Sequence, residues 1–431
     1  MHYEKFQDGT IKCIEDEIPF EVPEGWAWCR LPAITIDIFA GGDKPDSYEK
    51  NPTDICNIPI YSNGIENNGL YGFTNKPRVI EPSITISARG TIGFCCIRET
   101  PFVPIVRLIT ITPSKEFELY YLKTVFEALI ETGEGSSIPQ LTVPGIKPKL
   151  IPVPPVNEQT RIQNKLHEIL NSIAVISREK EELQQLLQTI KSKILDLAIR
   201  GKLLPQDPND EPASVLLERI RLEKEELIKQ GKIKRDKKKS VIFKDDDNSY
   251  YGIHLPDSWN WTSLREIALS ISDGSHNPPP NNGSGIPLLS AANINDNSIL
   301  MNEISRWITN EEWKIENQRT NIEVGDVLLT IVGSIGRSAV VQNNNHFALQ
   351  RSVAVIKPCL INPLYLMHIV QSPQIQKWLT DNSKGTAQKG IYLNALSLMI
   401  IPIPPLAEQA RIVERIHIAY KQLDLISNAL L

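Results

Sequence analysis

The most regular apolar pattern in this chain is a seam of aliphatic residues over 162–197 that alternates steps of four and three. A repeat of about 3.5 residues keeps one stripe of a helix facing a partner, and it is typical of a coiled coil. Residues 156–199 are therefore predicted to form one helix, roughly 65 Å long. Lys180 interrupts a seam that otherwise consists of Ile162, Leu166, Ile169, Ile173, Ile176, Leu183, Leu187, Ile190, Ile194 and Leu197.

The same register returns near the C-terminus, at Ile412, Ile416, Leu423 and Ile426. Both seams follow a similar segment, here called the junction. It reads Ile-Pro-Val-Pro-Pro-Val-Asn-Glu-Gln-Thr-Arg-Ile at 151–162 and Ile-Pro-Ile-Pro-Pro-Leu-Ala-Glu-Gln-Ala-Arg-Ile at 401–412. Proline suits both the extended approach to a helix and its first turn. The two helices are therefore expected to be copies of one sequence and to pair with each other.

Two further matches keep the same order along the chain. The tryptophans Trp26 and Trp28 correspond to Trp259 and Trp261, and Gly-Thr-Ile-Gly at 90–93 corresponds to Gly-Ser-Ile-Gly at 333–336. Matches in conserved order indicate one duplicated unit. The tryptophans are interpreted as core anchors rather than as platforms that stack on bases.

The segments between the junctions have a mixed pattern. Short β-like runs at 84–87 and 326–332 are separated by Gly, Asn and Pro turns, and helix-like stretches lie near 117–131 and 362–380. The predicted fold class is α+β: two similar α/β-type domains, separated by long helices that form an antiparallel coiled coil with pseudo-two-fold symmetry. The predicted divisions are 1–155, a central helix at 156–200, a linker at 201–254, 255–405, and a C-terminal helix at 406–431.

The linker is predicted to contain a shorter amphipathic helix at 213–229. It also contains a basic run at 229–239, which is followed by three aspartates at 245–247. A charge run of this kind is more typical of a solvated, mobile linker than of a nucleic-acid contact.

Composition narrows the class of protein. The chain has 431 residues, of which 41% are hydrophobic, and a formal net charge of −5, which excludes a uniformly basic nucleic-acid coat. Six cysteines form no Cys-x-x-Cys pair, so neither a zinc ribbon nor a disulfide framework is expected. No apolar run approaches the ~18 residues of a membrane span, and the first residues lack a signal-peptide core. A cytoplasmic protein is expected.

Motifs for a self-sufficient active site are missing from the sequence. It has no G-x-x-x-x-G-K-[ST] loop, no H-E-x-x-H and no G-x-S-x-G. His276-Asn277-Pro278-Pro279 resembles the catalytic tetrapeptide of amino-methylating DNA methyltransferases, but Pro280 replaces the aromatic residue that would stack on a flipped base. We interpret it as a proline-rich turn, and no metal site is predicted.

Three features of the sequence resemble the specificity (S) subunits of type I restriction–modification enzymes. They are the two junctions, the helix end Ile-Leu-Asp-Leu-Ala-Ile-Arg-Gly-Lys-Leu at 194–203, and the paired Gly-x-Ile-Gly turns. The resemblance covers nearly the whole chain in family order. It implies two target-recognition domains that each read one half of a bipartite DNA site, and helices that set the spacing and dock two modification (methyltransferase) subunits. Restriction (motor/nuclease) subunits join that core.

The same resemblance implies a chain that is not catalytic by itself and holds no cofactor. S-adenosylmethionine, ATP and magnesium are then expected on the partner subunits. One departure from the family pattern is that the second helix stops at Leu431, the counterpart of Glu181. Either this helix pairs with half of the first one, or the sequence is truncated.

Neither recognition segment carries an excess of basic residues, so basic side chains must be gathered on one face. Arg or Lys suits guanine and Asn or Gln suits adenine, which favours glycine-flanked loops that hold these types. The Gly-x-Ile-Gly segments could instead be plain hairpin turns. The candidate DNA-binding residues are Arg89, Gly90, Thr91, Gly135, Ser136 and Gln140 in the first copy, and Gly333, Ser334, Arg337, Gly385, Thr386, Gln388 and Lys389 in the second.

Two other functional classes stay open. A non-catalytic coiled-coil scaffold could use the duplicated domains to bind proteins, and an independent methyltransferase would transfer methyl groups by itself. Sequence-selective, salt-sensitive binding to duplex DNA separates the first interpretation from the scaffold.

Overall fold

The structure is a computed structural model that describes residues 1–130, 133–134, 140–235, 249–385 and 389–430. The chain divides into two compact units, Met1–Ser177 (unit one) and Arg178–Leu431 (unit two). The long helix predicted at 156–199 is present as Val156–Ile199, and the boundary between the units falls within it. In the described part of the chain, no helix is both long enough and apolar enough to cross a membrane.

Unit one is built mainly from short strands. Its helices are α1 (Leu119–Leu129), α2 (Val143–Ile146) and the first part of α3 (Val156–Ile199). Its strands are β1 (Tyr3–Lys5), β2 (Ile11–Cys13), β3 (Ala27–Arg30), β4 (Thr35–Ala40), β5 (Ile58–Tyr61), β6 (Leu70–Thr74), β7 (Ser83–Ile86), β8 (Thr91–Ile92), β9 (Cys95–Arg98), β10 (Val103–Pro104), β11 (Ile109–Pro113), β12 (Gly133–Glu134) and β13 (Leu150–Val153).

A four-stranded sheet in the order β4-β11-β7-β9 forms the centre of unit one. Its neighbouring strands run antiparallel, and its apolar face packs on α1 through Ile84, Ile111, Leu122 and Phe126. The β-branched residues in these strands suit a pleated, buried surface. A three-stranded sheet, β10-β5-β6, and the pair β13-β3 complete the unit's larger sheets.

Unit two has the same kinds of element with more helix. After the end of α3, its helices are α4 (Ala213–Lys229), α5 (Leu264–Ile267), α6 (Asn310–Thr320), α7 (Pro363–Val370), α8 (Pro373–Asp381), α9 (Leu393–Ser397) and α10 (Leu406–Ala429). Its strands are β14 (Ser249–Tyr250), β15 (Ile253–His254), β16 (Asn260–Ser263), β17 (Ala268–Asp273), β18 (Ile286–Leu289), β19 (Ile294–Asn295), β20 (Ser298–Ile299), β21 (Trp307–Ile308), β22 (Val327–Thr330), β23 (Ser338–Val340), β24 (Ala348–Leu349), β25 (Val353–Pro358) and β26 (Ile400–Ile403).

The sheets of unit two repeat those of unit one. The order β17-β25-β22-β23 matches β4-β11-β7-β9, and β16-β26 matches β3-β13. In both three-stranded sheets, the central strand pairs parallel to one neighbour and antiparallel to the other. The duplication predicted from the sequence is therefore confirmed at the level of topology, as is the predicted α+β class.

Equivalent hydrogen bonds fasten the domain that precedes each junction (the lobe) to the start of its long helix. In unit one, Gln159 accepts from the backbone N–H of Glu118 at 2.9 Å and donates to the carbonyl of Pro154 at 3.1 Å. In unit two, Gln409 accepts from the N–H of Asn362 at 2.9 Å and donates to the carbonyl of Pro404 at 3.2 Å. The glutamine of the shared Pro-Pro-x-x-Glu-Gln junction therefore has the same structural role in both copies.

The predicted antiparallel helix pair is present inside unit two. Lys191 on α3 forms an ion pair with Asp424 on α10 at 2.6 Å, whereas Gln206, beyond the end of α3, donates to Glu408 at 2.7 Å. Residue numbers thus increase along α3 in the direction in which they decrease along α10, so the two helices run antiparallel. Leu195 and Ile199 of α3 share a core with Ile412 and Ile416 of α10. The C-terminal part of α3 is the part that α10 covers.

The predicted seam positions differ in exposure along the helices. Leu187, Ile412 and Ile416 are buried, whereas Ile169, Ile173, Ile176 and Ile426 are 45%, 53%, 64% and 45% exposed. The remaining positions, Ile162, Leu166, Leu183, Ile190, Ile194, Leu197 and Leu423, are half-buried. The part of α3 in unit one therefore presents an aliphatic face to solvent.

The helix predicted at 213–229 is present as α4, which buries Leu216 and Ile220 in the core of unit two. The basic run that follows it is described only as far as Arg235. Its remainder and the three aspartates lie outside the described residues.

Candidate nucleic-acid interface

The predicted glycine turn of unit one connects β7 to β9. The N–H of Ser87 donates to the carbonyl of Phe94 at 3.0 Å, and the N–H of Gly93 donates back to Ser87 at 3.0 Å. Gly90 and Gly93 have φ values of 72° and 85°, a left-handed region that favours glycine. The backbone of this turn therefore favours glycine at both positions. Arg89 and Gly90 are exposed.

The turn of unit two has the same hydrogen bonds between the equivalent residues. The N–H of Thr330 donates to Arg337 at 2.9 Å, and the N–H of Gly336 donates to Thr330 at 2.9 Å. Gly333 and Gly336 have φ values of 80° and 100°. Gly333 and Ser334 are exposed and Arg337 is half-buried. Both segments are tight turns between strands, as the plainer interpretation predicts.

The second predicted loop lies beside the glycine turn in each unit. In unit one, the N–H of Leu141 donates to Ala88 at 3.2 Å, which places the half-buried Gln140 next to the turn. In unit two, the N–H of Ile391 donates to Ile331 at 2.8 Å. The candidate loops from distant parts of the sequence thus meet in both copies.

Lys389 is held directly against the turn of unit two, because the N–H of Gly333 donates to its carbonyl at 3.1 Å. Its side chain and Gly385 are exposed, which leaves them accessible to a ligand. Of the remaining candidates, Gly135, Ser136, Thr386 and Gln388 lie outside the described residues.

Two candidate side chains are partly buried in the protein itself. The hydroxyl of Thr91 is buried without a hydrogen-bond partner in the described part of the chain. Arg337 reaches the carbonyl of Ile294 at 3.5 Å, close to the carboxyl of Asp296, whose pKa is raised by burial although Ser338 and Arg337 oppose that shift. Arg89 is the more exposed of the two candidate arginines.

A second feature was not predicted from the sequence: a tight turn, the elbow, follows β4 at 41–42 and β17 at 274–275. The N–H of Gly41 donates to Leu108 at 2.8 Å and that of Gly274 donates to Val353 at 3.1 Å. A Cβ at Gly41 would lie 2.7 Å from the backbone of Pro104, and one at Gly274 would lie 2.1 Å from that of Leu349. Only glycine allows this close approach, and a glycine at matching positions of both copies was the available signal.

Hydrogen bonds connect the elbow to the glycine turn. In unit one, Asn63 donates to the carbonyl of Val106 and accepts from the N–H of Ala88, both at 2.7 Å, and Val106 itself donates to Gly42 at 2.8 Å. The turn and the elbow therefore lie on one edge of the unit.

Unit two reaches the same arrangement through different residues. The N–H of Ile331 donates to Ser352 at 2.8 Å, and that of the adjacent Arg351 donates to Ser275 at 2.9 Å. Segment 276–280, with the His-Asn-Pro-Pro sequence, continues from this elbow without regular helix or strand. Arg107 in unit one and Arg351 in unit two are exposed at this edge.

The paired tryptophans lie near the Pro-Pro junctions that precede the long helices. In unit two, Trp259 and Trp261 are buried, as predicted for core anchors. In unit one, Trp26 and Trp28 are half-buried. Trp28 and Trp261 pair with Pro152 and Pro402 of the junctions, which links the two duplicated motifs in each copy.

Burial makes at least two of the cysteines poor nucleophiles. All six are unpaired, and burial raises the pKa of Cys29 to about 11 and that of Cys95 to about 12. A reactive thiol needs a lowered pKa. In the described ranges, no group of three or more His, Cys, Asp or Glu residues is arranged to hold a metal ion.

The family described as "Type I restriction modification DNA specificity domain" has a model that matches residues 35–185 and 256–430. The two matched ranges correspond to the two copies of the duplicated unit. They include both glycine turns, both elbows and most of both long helices.

Similar proteins carry the same description. The type I restriction enzyme EcoBI specificity subunit of Escherichia coli is 26% identical over 316 residues, which cover 72% of this chain and 60% of that protein. The EcoEI specificity subunit of Escherichia coli is 25% identical over 511 residues, which cover 99% of this chain and 83% of that protein. This chain thus spans less than two thirds of the EcoBI subunit.

A solved structure also shares the fold. A chain from work on the assembly and conformational transition of the type I R-M system is 17% identical, with a TM-score of 0.62 over 96% of this chain and 94% of that chain. The arrangement of strands and long helices is therefore found in that system as well.

Proposed function

We propose, from the premise that this chain belongs to the type I restriction modification DNA specificity domain family, that it directs such an enzyme to a bipartite DNA target. The role of this family is DNA target recognition. Each unit would read one half of the target through the edge formed by its glycine turn and its elbow. The chain would contribute no catalytic group of its own.

The observation that supports this proposal best is a pair of equivalent edges with different side chains. The backbone hydrogen bonds of the two glycine turns are the same, whereas Arg89 and Thr91 in one copy are replaced by Val332 and Ser334 in the other. A shared backbone with different side chains suits two readers that recognise different sequences. Groove-facing Arg, Lys, Asn and Gln side chains would supply the base contacts.

Partner subunits would complete the enzyme. Two modification subunits would carry S-adenosylmethionine, and restriction subunits would carry ATP and magnesium. The exposed aliphatic face of α3, at Ile169, Leu170, Ile173 and Ile176, supports protein docking at this helix. Exposed apolar patches of this kind mark interaction surfaces on soluble proteins.

The test is binding of the full chain to duplex DNA, alone and together with its modification subunits. We expect enrichment of one bipartite motif from a random duplex library and an affinity that falls steeply with salt, because phosphate contacts release counterions. Equal retention of all sequences, or no retention even with modification subunits, would favour the protein-binding scaffold instead. Methyl transfer by this chain alone would favour an independent methyltransferase.

A further inference from the structure

A charged cluster lies at the elbow of unit two, immediately before Gly274. The side chain of Asp273 is only 10% exposed, and one of its oxygens accepts from His276 Nε2 at 2.8 Å. Its other oxygen accepts from Nη2 of Arg319, and Arg319 Nε donates to the backbone carbonyl of Asp273 at 2.9 Å. Asp273 therefore holds the guanidinium by both its side chain and its backbone.

Arg319 itself faces solvent. Its side chain is 50% exposed, and its Nη1 group has no hydrogen-bond partner among the described residues. It lies in the last turn of α6, whose start is fixed by a reciprocal capping box between Thr309 and Glu312. The end of α6 and a buried carboxylate thus hold the guanidinium, whose Nη2 also lies 3.4 Å from His276 Nε2, and leave its Nη1 group available to a ligand.

The neighbouring loop is also braced. Arg306 donates to the carbonyl of Pro279 at 2.7 Å, within the run of three prolines that follows His276. Proline fixes φ and limits the motion of this loop. The edge around Arg319 is therefore organised before any ligand arrives.

Unit one also places an arginine at its elbow, by a different route. The guanidinium of Arg78 lies 4.7 Å from the ring centre of Phe39, and a Cβ at Gly42 would lie 3.0 Å from its Nη1. In the sequence, Phe39 lies two residues before the elbow glycine Gly41, and Gly42 directly follows it. In unit two, Asp273 directly precedes the corresponding Gly274. Arg78 comes from the connection between β6 and β7 rather than from a helix, and it is exposed.

A purely structural ion pair explains part of the unit-two cluster, because a buried carboxylate needs a cation. It does not explain Arg78, which reaches the corresponding elbow of unit one and has no carboxylate partner among the described residues. What the two positions share is an exposed guanidinium over the end of a strand on the edge that holds the glycine turn. Guanidinium forks match paired acceptors, which duplex DNA offers at guanine O6 and N7.

We propose that Arg319, positioned by Asp273, reads a guanine in the half-site of unit two, and that Arg78 does so in the half-site of unit one. This inference rests on the proposed function and adds two specificity-determining residues to it. Asp273 acts through Arg319 as a positioning residue, because a fixed guanidinium discriminates between bases better than a mobile one.

The test selects random duplexes with the full chain and its modification subunits, using Arg319→Ala, Arg319→Lys, Asp273→Asn and Arg78→Ala. For Arg319→Ala we expect the preference for guanine to vanish at one position of one half-site, with a roughly 10- to 100-fold loss of affinity for the original target. Arg319→Lys keeps the charge but loses the planar fork that Asp273 holds in place, so it should weaken the same preference. Asp273→Asn should weaken that preference, and Arg78→Ala should alter only the other half-site.

The control is Arg221→Ala, which removes an exposed arginine that is ion-paired to Glu218 on α4. It should leave both half-sites unchanged. Thermal unfolding confirms that each variant is folded, and Arg319→Lys carries the test if Arg319→Ala is not.

Each remaining outcome is decisive. If Arg319→Ala loses affinity equally for all sequences and reduces the salt dependence by about one phosphate contact, Arg319 binds the backbone and the inference is wrong. An unchanged motif in folded Arg319 and Arg78 variants also overturns it. If the unsubstituted chain enriches no motif, the proposed function fails first, and this inference fails with it.

Discussion

The indole nitrogen of Trp259 donates to the carboxylate of Glu408 at 2.9 Å, although 149 positions separate the two residues. Glu408 belongs to the Pro-Pro-x-x-Glu-Gln junction and Trp259 to the repeated tryptophan pair, so this bond joins two duplicated motifs. Gln206 donates to the other carboxylate oxygen at 2.7 Å. In unit one, the indole N–H of the equivalent Trp26 is buried without a partner in the described part of the chain. The two copies therefore differ in the hydrogen bonding of the first tryptophan of the repeated pair.

Replacing Glu408 should test the importance of that bond. Burial raises the pKa of Glu408, although Trp259 and Gln206 oppose the shift. Glu408→Ala leaves the buried indole N–H of Trp259 unsatisfied, and we expect a loss of about 2 kcal/mol in the free energy of unfolding. Glu408→Gln keeps an acceptor without a buried charge and should stay within about 1 kcal/mol. Denaturant unfolding measures both changes, and Glu414→Ala, an exposed position on the same helix, is the control.

A buried histidine should make unit two sensitive to acid. Burial lowers the pKa of His368 to about 4, and its ring lies 6.1 Å from that of Tyr420 on α10. Between pH 6.5 and 4, the unfolded chain binds a proton that the folded chain excludes, so stability falls as the pH falls. The full effect is about 3 kcal/mol. Unfolding of the unsubstituted chain and of His368→Leu should diverge over this range, and parallel pH profiles would contradict the prediction.

The length of α3 should set the gap between the half-sites. Deleting one heptad, residues 166–172, shortens the helix by about 10 Å and preserves the seam. We expect the preferred gap to change by roughly three base pairs, since DNA rises about 3.4 Å per step. Methylation mapping in cells with each version measures the gap. The two half-site sequences serve as internal controls, and an unchanged gap would show that the helix is not the spacer.

The exposed face of α3 should be needed for assembly. Ile173 is 53% exposed, so Ile173→Glu should leave the fold intact while placing a charge on the proposed docking surface. We expect at least a tenfold weaker capture of the modification subunit in co-purification. Leu425→Glu is the matched control, because Leu425 is 63% exposed on α10 and lies outside the predicted seam. Equal capture by both variants would move the docking surface elsewhere.

The sequence predicted those parts of the fold that depend on periodicity and repetition. The heptad seam gave both long helices, and the repeated junctions gave the duplication, because each signal extends over many residues. The predicted helix near 362–380 is instead two helices, α7 and α8, since Ser372 and Pro373 interrupt it. The polar helix α6 was not predicted, because its caps rather than an apolar stripe define it.

The candidate interface was predicted less completely, for a physical reason. The glycine turns could be found, because a positive φ restricts the residue type at these positions. The elbow arginines could not be found by comparing the two copies, since Arg78 lies in a loop and Arg319 on a helix that has no counterpart at that point of unit one. Arg78 and Arg319 come to lie beside an elbow only after the strands of each unit have paired.

The matching glutamines Gln159 and Gln409 attach lobes of different sequence to similar helices through the same pair of hydrogen bonds. Genetic recombination within the Pro-Pro junction would therefore import a foreign lobe whose attachment point already fits. Under the proposed function, exchange of one gene segment would then change one half of the DNA target and leave the other half unchanged.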